Sequence, residues 1–337
     1  MTELRLALYR HLRRVRLLDE RLVQLQRQGR IGFHGSCRGQ EVAPVAAALA
    51  LRPSDWIFPA LRESYAALVR GFPLERYLAQ DFGSALDVAK GRQMPSHQSA
   101  ASVNVVSWSS CIGTQLPHAV GMALAARRRG QGDIALAFLG DGATSHPDFH
   151  AALNFAGVFR APCVFVCQNN QFAISVGVER QSGNPRLFEK AAAYGMPGQR
   201  VDGNDAEAVH AAIAEAAERA RGGHGPCFIE CFTYRVAPHS SSDDPSLYRD
   251  EAVAEAWRAR DPIAQLRARL LGAGLLDEAS DAALTHELSS ELEMAVNLAS
   301  AAPAPALGSL CEDVYASPPW NLVEQAAMLA SGPRAAD

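Results

Sequence analysis

Residues 134–170 read IALAFLGDGATSHPDFHAALNFAGVFRAPCVFVCQNN, and most of the fold can be predicted from them. The apolar runs at 134–139 and 163–167 predict two buried strands. Between them, the spacing of apolar side chains predicts a helix that ends before Pro162. Its apolar face consists of Phe149, Leu153, Phe155, Ala156 and Phe159. The order strand, turn, helix, strand is typical of a parallel α/β sheet.

Polar residues follow both predicted strands. Asp141 lies in the turn Gly140-Asp141-Gly142 after the first strand, and Asn170 follows the second. Because parallel strands end at one edge of the sheet, where such sheets bind ligands, we expect the two side chains to converge. Their oxygens suit Mg²⁺ or Ca²⁺ and not zinc. The glycines let backbone N–H groups approach an anion at the start of the next helix, so the pattern predicts a Mg²⁺-bound diphosphate.

The spacing between the two halves of this motif is specific. Gly140-Asp141-Gly142 is followed after 26 residues by Asn169-Asn170, which resembles the motif that binds thiamine diphosphate. The wider text from 140 to 175 is similar to the alpha subunit of the 2-oxo acid dehydrogenase decarboxylase component, branched-chain type, and the resemblance covers nearly the whole chain. It implies thiamine diphosphate, Mg²⁺ and, as in some members, K⁺ as cofactors.

The resemblance also implies a set of site residues. The implied cofactor contacts are Arg62, Ser110, Ile112, Gly140, Asp141, Gly142, Ala143, Asn170, Arg235 and His239. The implied metal ligands are Asp141, Asn170 and Phe172, and His239 is also the implied catalytic residue. Ser109, Thr114 and Gln115 match positions that hold a monovalent cation in some members.

Several positions depart from the family pattern. Leu61 replaces the tyrosine that usually precedes the arginine at 62, and Cys111 and Gly113 replace a proline and an alanine. Residues 145–148 read Ser-His-Pro-Asp where Ser-Glu-Gly-Asp is usual, and Gln168 stands where some relatives have Arg or Glu. Because proline is tolerated at the start of a helix, we expect the fold to be kept.

Two loops carry further histidines. Phe33 and His34 lie in a loop that borders the substrate in the resembled family, but a lone loop histidine is more often plain surface. His97 follows Gly-Arg-Gln-Met-Pro-Ser, a text typical of the branched-chain members. For His97, a site role and a structural role are balanced.

The segment 236–250 is polar, contains prolines and cannot bury itself, so it is predicted to be mobile. It follows a predicted strand at 227–235 and contains His239. By resemblance it is the loop that brings this histidine to the cofactor. Ser240 matches a position that is phosphorylated in animal relatives.

Composition narrows the class of protein. The 337 residues are 48% hydrophobic and 20% charged, which is typical of a globular chain with a sizeable core. The net charge of −4 argues against nucleic-acid or membrane-surface binding. Only Lys90 and Lys190 are lysines against 30 arginines, which we interpret as genomic bias. Buried, inert thiols are predicted at Cys163, Cys167, Cys227 and Cys231, and a reducing cytoplasm is expected.

These patterns predict an α/β fold with a mostly parallel sheet flanked by helices. The cofactor-binding domain is predicted at residues 1–250, including an amphipathic helix at 3–28, and a helical C-terminal extension at 251–337. In the extension, the sequences at 313–315 and 319–320 resemble the family's C-terminal anchor. The last few residues are expected to fray.

The predicted function is that of the alpha subunit of a 2-oxo acid dehydrogenase, acting on the branched-chain acid 3-methyl-2-oxobutanoate. A pyruvate or acetoin enzyme is the alternative. The expected partners are a beta subunit in a heterotetramer of two alpha and two beta chains, and an acyltransferase that carries a lipoyl arm. A Mg-nucleotide phosphotransferase is a remote alternative, because the sequence contains no Gly-Lys pair of a phosphate loop.

Overall fold

A five-stranded parallel sheet forms the centre of the protein, as a computed structural model of residues 2–332 shows. The strands are β1 (Trp56–Phe58), β2 (Ala135–Gly140), β3 (Cys163–Asn169), β6 (Gly198–Asp202) and β7 (Cys227–Phe232), in the spatial order β1-β2-β3-β7-β6. A short antiparallel hairpin, β4 (Phe172–Ala173) and β5 (Val176–Gly177), follows β3. The predicted α/β class and the parallel pairing of β2 with β3 are confirmed.

Eleven α-helices lie in the described part of the chain. They are α1 (Thr2–Arg27), α2 (Val42–Ala50), α3 (Ala66–Val69), α4 (Leu74–Phe82), α5 (Gln115–Arg128), α6 (Pro147–Phe159), α7 (Ala206–Arg221), α8 (Glu251–Arg258), α9 (Pro262–Gly272), α10 (Glu278–Ala301) and α11 (Trp320–Ser331). Within residues 2–332, no helix is long and apolar enough to cross a membrane.

Both faces of the inner strands β2, β3 and β7 are buried, as is typical of a parallel sheet, whereas the edge strand β6 is partly exposed. Leu136 and Val164 point into a core shared with α1, α2 and α7, whereas their neighbours Ala137 and Phe165 point into a core shared with α5 and α6. Because successive side chains of β2 and β3 are buried on opposite faces, these two strands have continuous apolar sequences. The four cysteines of β3 and β7 are buried, as predicted.

The N-terminal helix is covered by the chain itself. Its apolar stripe is buried in the core that also contains Leu266 of α9 and Val296 of α10. The stripe consists of Leu8, Leu12, Val15, Leu18, Leu22 and Leu25. This stripe is therefore buried within the chain, and the C-terminal helices share its core. The domain boundary at 250 stays a prediction.

Helix α6 differs from the prediction. Phe149, Leu153 and Ala156 are buried against the sheet, but Phe155 and Phe159 are 54% and 48% exposed. The assignment of all five to one apolar face was therefore wrong, because Phe155 and Phe159 lie on a second apolar side of α6 that faces away from the sheet. Val158, 68% exposed, lies on the same outer side.

The C-terminal segment is attached through charges more than through apolar packing. Tyr315 and Trp320 are 59% and 78% exposed, so the text that resembles an anchor is not buried within this chain. Lys90 instead forms ion pairs with Glu312 and Asp313. The predicted fraying concerns residues 333–337, which lie outside the described part.

Candidate functional site

The carboxyl ends of β2 and β3 bring the predicted metal ligands together. Gly140 pairs with Gln168 in the sheet register, so Asp141 and Asn170 leave the sheet side by side. Both side chains are buried, Asp141 to 1% exposure. The parallel register that pairs Gly140 with Gln168 brings the two strand ends to one edge of the sheet, as predicted.

Asp141 is a buried carboxylate that has no ion-pair partner among residues 2–332. The Gln181 amide Nε2 donates to its Oδ2 at 2.7 Å, and within residues 2–332 no lysine, arginine or histidine forms an ion pair with it. Burial raises the pKa of Asp141 to about 6, although the Gln181 hydrogen bond and the charge of Arg235 oppose this shift. Because a buried anion needs compensation, a bound cation fits this position.

The other predicted metal ligands already make hydrogen bonds. Oδ1 of Asn170 accepts from the Phe172 N–H at 3.1 Å, and its Nδ2 donates to Oε1 of Gln40 at 2.7 Å. The Phe172 carbonyl accepts from Nη1 of Arg235 at 3.1 Å. Each oxygen keeps a second lone pair, so both remain available as ligands.

Two buried arginines lie next to this metal end. Arg62 and Arg235 are 4% and 1% exposed, and within the described residues neither forms an ion pair with a carboxylate. Burial and the neighbouring Arg235 charge lower the pKa of Arg62 to about 10. Nε of Arg235 is buried without a partner in the described chain. Paired, uncompensated guanidinium groups are suited to bind a phosphate or a diphosphate.

His239 closes the site on the side of the arginines. Its carbonyl accepts from Nη2 of Arg62 at 2.7 Å, and its N–H donates to Oδ2 of Asp243 at 2.7 Å. Burial, followed by the charges of Arg62 and Arg235, lowers the pKa of His239 to about 4. The imidazole is therefore neutral at neutral pH.

Ser110 and Ile112 lie on an exposed turn before α5. Oγ of Ser110 is 2.7 Å from Nε2 of His97, and the imidazole of His97 stacks on Trp108 with 3.8 Å between ring centroids. Since Nδ1 of His97 lies 3.0 Å from the Pro95 carbonyl, Nδ1 carries a proton and donates. Nε2 of His97 is therefore the acceptor of a hydrogen bond from the Ser110 hydroxyl, which fixes the position of Ser110. Ile112 is 55% exposed, and its role as a cofactor contact stays a prediction.

The glycines of the turn differ in what they allow. A Cβ at Gly142 would lie 2.6 Å from the Cβ of Ala173, so the hairpin after β3 packs directly on this glycine. At Gly140 a Cβ would meet nothing within 4 Å, which leaves open space beside the carboxylate. Ala143, which belongs to the same turn, is buried.

Comparison with known proteins identifies the family. A family model described as "Dehydrogenase E1 component" matches residues 9–307. The chain belongs to the dehydrogenase E1 component family. It is 47% identical over 285 residues to the 3-methyl-2-oxobutanoate dehydrogenase subunit alpha of Mycobacterium tuberculosis, covering 83% of this chain and 75% of that one.

Two Bacillus subtilis members of the dehydrogenase E1 component family are similar over 311 residues, 92% of this chain. One, the 2-oxoisovalerate dehydrogenase subunit alpha, is 40% identical and covered to 94%. The other, the pyruvate dehydrogenase E1 component subunit alpha, is 38% identical and covered to 81%. The family resemblance noted for residues 140–175 is therefore confirmed.

Two departures from the dehydrogenase E1 pattern contact each other. Gly113 has φ +84°, and a Cβ there would lie 3.0 Å from Nδ1 of His146. His146 caps α6, since its Nδ1 accepts from the Asp148 N–H at 3.2 Å. Glycine at 113 thus gives the ring of His146 its space.

The residues that hold the ligands in place were not found from the sequence. Gln181 and Gln40 bond Asp141 and Asn170, and no local motif marks either glutamine. Gln168 donates from Nε2 to Oε1 of Glu63 at 2.5 Å, so its side chain is bound to another buried residue of the protein.

The loop that contains Phe33 and His34 lies beside Arg62, whose Nη1 donates to the Ser36 carbonyl. His34 is buried, and its Nε2 lies 2.9 Å from Oδ1 of Asp19, so its interpretation as plain surface was wrong. Burial alone would raise the pKa of Asp19, but the hydrogen bond and charge of His34 lower it to about 2. This histidine stabilises the interior. Phe33 is half-buried beside it.

The predicted potassium residues have partners of their own. Thr114 Oγ1 donates to the Cys111 carbonyl at 3.0 Å, Gln115 Nε2 donates to the Phe138 carbonyl at 2.8 Å, and Oγ of Ser109 accepts from the Cys111 N–H at 3.2 Å. A cation site at these residues stays a prediction.

Proposed function

We propose that this chain is the alpha subunit of a branched-chain 2-oxo acid dehydrogenase that binds Mg²⁺ and thiamine diphosphate at the carboxyl ends of β2 and β3. The observation that carries the proposal is the charge pattern at this edge. The buried Asp141 carboxylate lacks an ion-pair cation in the described chain, and the buried Arg62 and Arg235 lack an ion-pair anion there. A magnesium-bound diphosphate supplies both charges at once.

The metal end consists of Asp141, the Asn170 amide oxygen and the Phe172 carbonyl, all of which are hard oxygen ligands. Arg235 donates from Nη1 to the Phe172 carbonyl at 3.1 Å and from Nη2 to the Ile174 carbonyl. Arg235 therefore stands between the metal end and the diphosphate end. It can exchange a carbonyl for a phosphate oxygen without losing its hydrogen bonds.

The diphosphate end consists of Arg62, Arg235, His239 and Ser110, with the backbone of residues 140–143 beside it. When bound, thiamine diphosphate supplies the carbanion stabilisation that decarboxylation of a 2-oxo acid requires. The protein's part is to orient and to exclude water. His239, neutral at neutral pH, offers one N–H donor and one acceptor nitrogen to groups at the mouth of the site.

A beta subunit is proposed as the partner that completes the site, in a heterotetramer of two alpha and two beta chains. The outer side of α6, with Phe155, Val158 and Phe159 exposed together, supports burial against another subunit. The subsequent acceptor is proposed to be the lipoyl arm of an acyltransferase. The isolated chain is then expected to bind cofactor weakly and to have no dehydrogenase activity.

The branched-chain substrate is favoured by the 47% identity to the mycobacterial subunit, whose printed name is 3-methyl-2-oxobutanoate dehydrogenase subunit alpha. A pyruvate enzyme is the second candidate, since the pyruvate dehydrogenase subunit of Bacillus subtilis is nearly as similar as its branched-chain counterpart. The family match leaves the phosphotransferase alternative without support.

The test is to co-express the chain with the beta subunit and compare kcat/KM for 3-methyl-2-oxobutanoate, pyruvate and acetoin, with an artificial electron acceptor or a lipoyl domain. Preference for the branched-chain acid supports the proposal. Preference for pyruvate selects the second candidate, and no decarboxylation by a complex that binds Mg-thiamine diphosphate contradicts both.

A further inference from the structure

The two lysines of this chain have different surroundings. Lys90 is a surface residue that pairs with Glu312 and Asp313. Lys190 lies in the 3-10 helical segment Leu187–Tyr194, is half-buried and forms no ion pair within the described residues. The chain has 30 arginines, so a lysine that has no carboxylate partner among the described residues indicates a position where the longer, planar side chain of arginine does not fit.

Lys190 donates to both oxygens of one residue. Its Nζ lies 2.9 Å from Oγ1 and 3.2 Å from the carbonyl oxygen of Thr144, and 5.8 Å from the ring centroid of Phe149. A compact ammonium with three donors can bond two oxygens of the same residue over an aromatic face. The planar fork of an arginine is longer by one atom and is suited to a carboxylate.

Thr144 connects Lys190 to Asp141, the predicted metal ligand. It is fully buried, and its Oγ1 donates to the carbonyl of Asp141 at 2.8 Å. Because the hydroxyl has one proton, which goes to Asp141, its lone pairs accept from Lys190. Lys190, Thr144 and the Asp141 backbone thus form one chain of hydrogen bonds.

The turn 141–145 is also held from a second side. Gln181 donates to the Asp141 carboxylate, and its carbonyl accepts from Oγ of Ser145 at 2.9 Å. Gln181 and Lys190 both belong to the segment that follows the β4–β5 hairpin. That segment therefore supports the carboxylate of Asp141 and its backbone separately.

We propose that Lys190, acting through Thr144, is a positioning residue that fixes the backbone of the metal turn so that Asp141 presents its free oxygen to Mg²⁺. The proposal rests on the proposed function. Lys190 itself contacts neither metal nor cofactor. Its loss changes how well the turn is preorganised, so metal affinity falls while the chemistry of a fully loaded site is unchanged.

The experiment uses the alpha–beta complex and measures binding of Mg²⁺ at saturating thiamine diphosphate by calorimetry, with kcat measured at saturating Mg²⁺. Lys190→Met is expected to raise the Kd of Mg²⁺ by about tenfold, the effect of losing a charged hydrogen bond. Lys190→Arg is expected to restore only part of the affinity. Lys90→Met is the matched control, because it removes the other lysine from the surface and should leave the Kd unchanged.

Thr144→Val keeps the shape and removes the hydroxyl, so it tests the chain of hydrogen bonds without touching Lys190. It is expected to raise the Kd of Mg²⁺ to a similar extent. Because both residues belong to one chain of hydrogen bonds, the double variant should have about the same Kd as either single variant. This variant decides the question if Lys190→Met does not assemble.

Unchanged Mg²⁺ affinity in Lys190→Met, or a fall in kcat at saturating Mg²⁺ with the Kd unchanged, would overturn the proposal. Full restoration by arginine would overturn the requirement for a compact ammonium. If the unmodified complex does not bind Mg-thiamine diphosphate at all, the proposed function fails instead, so the two failures are distinguishable.

Discussion

The metal turn at 141–145 and the loop at 236–250 face the same site but are built differently. In the turn, Asp141 and Thr144 are buried, and both are bonded by side chains from another segment. In the loop, most side chains are partly or fully exposed, and Leu247 is 83% exposed. One half of the site is preformed, whereas the other has little packing of its own.

The loop is held mainly by polar contacts around two residues. Asp243 accepts from the N–H of His239 and from the hydroxyl of Tyr248 at 2.5 Å, and Arg249 donates to the Arg235 carbonyl at 2.8 Å. Such contacts contribute roughly 1.5–3 kcal/mol each because one partner is charged, but they are too few to offset the roughly 1–2 kcal/mol per residue that ordering the backbone of the whole loop costs. The difference indicates that the ligand finds the metal end ready and must help to order the histidine end.

The largest expected effect comes from removing the metal carboxylate. Asp141→Ala should weaken Mg-dependent thiamine diphosphate binding by more than about 100-fold, since the site loses its only charged ligand. The fold should survive, because the pKa of Asp141 is raised to about 6 and its ionised form is destabilised by burial. Calorimetry and thermal unfolding measure the two effects.

Asp141→Asn is the control for shape. At pH 7 it should be at least as stable as the unmodified protein, because the stability contributed by a carboxyl with a raised pKa is present below about pH 4 and lost as pH rises through about 6. Unchanged cofactor affinity in Asp141→Ala would show that the metal lies elsewhere.

A new charge in the loop should have the next largest effect. Ser240 lies between His239 and the acidic pair Asp243 and Asp244, so Ser240→Glu places a negative charge beside carboxylates and a diphosphate. We expect turnover to fall by about 10- to 100-fold through like-charge repulsion. Steady-state kinetics of the complex at several cofactor concentrations measures this.

Ser241→Glu is the matched control, since Ser241 is exposed and the added charge is the same. It should cause a much smaller loss. Equal losses in the two variants would mean that net charge of the loop, and not the position next to His239, is responsible.

The preformed half of the site was largely predictable from the sequence, for a physical reason. Asp141 and Asn170 follow consecutive strands of one βαβ unit, and the handedness and pairing of such units bring their ends together. Gln181 and Lys190 reach the same turn only through packing of a later segment, which leaves no pattern in the local sequence.

The spacing of apolar residues also gave a wrong prediction in α6, because it does not distinguish side chains buried within the chain from apolar side chains exposed on its surface. Phe155 and Phe159 have the spacing of core residues, yet they lie on the outer side of α6. An apolar side chain that awaits a partner subunit carries the same signal as one that packs in its own core. His34 shows the converse, because its buried partner Asp19 lies on α1, fifteen residues earlier, where no loop motif would indicate it.

The pH dependence of metal affinity sharpens the contrast. A proton competes with Mg²⁺ for Asp141, whose pKa is about 6 without metal, so affinity should fall by up to about tenfold for each pH unit below 6 and be constant above about 7. His239, with a pKa of about 4, should contribute nothing in this range. Titrations of Mg²⁺ between pH 5 and 8, roughly the range around that pKa, test this.

Asp81 must be separated from this effect, because burial also raises its pKa to about 6. It lies on α4 and accepts from the N–H of Ser96, so its titration changes stability and not the metal site. Asp81→Asn should therefore keep the pH dependence of Mg²⁺ affinity. A flat profile in that variant would assign the dependence to Asp81.

The smallest expected effect concerns order in the loop itself. We expect residues 236–250 of the complex to gain hydrogen-exchange protection when Mg-thiamine diphosphate binds, because the diphosphate gives Arg235 and His239 a charged partner. The turn 141–145 is the internal control and should be protected in both states, since Gln181 and Lys190 hold it without ligand. In the isolated chain the loop is expected to stay unprotected even with cofactor, because a few charge-assisted bonds offset only part of the roughly 1–2 kcal/mol of ordering entropy per residue. Equal protection of 236–250 with and without cofactor in the complex would refute the ordering model and make both halves of the site preformed.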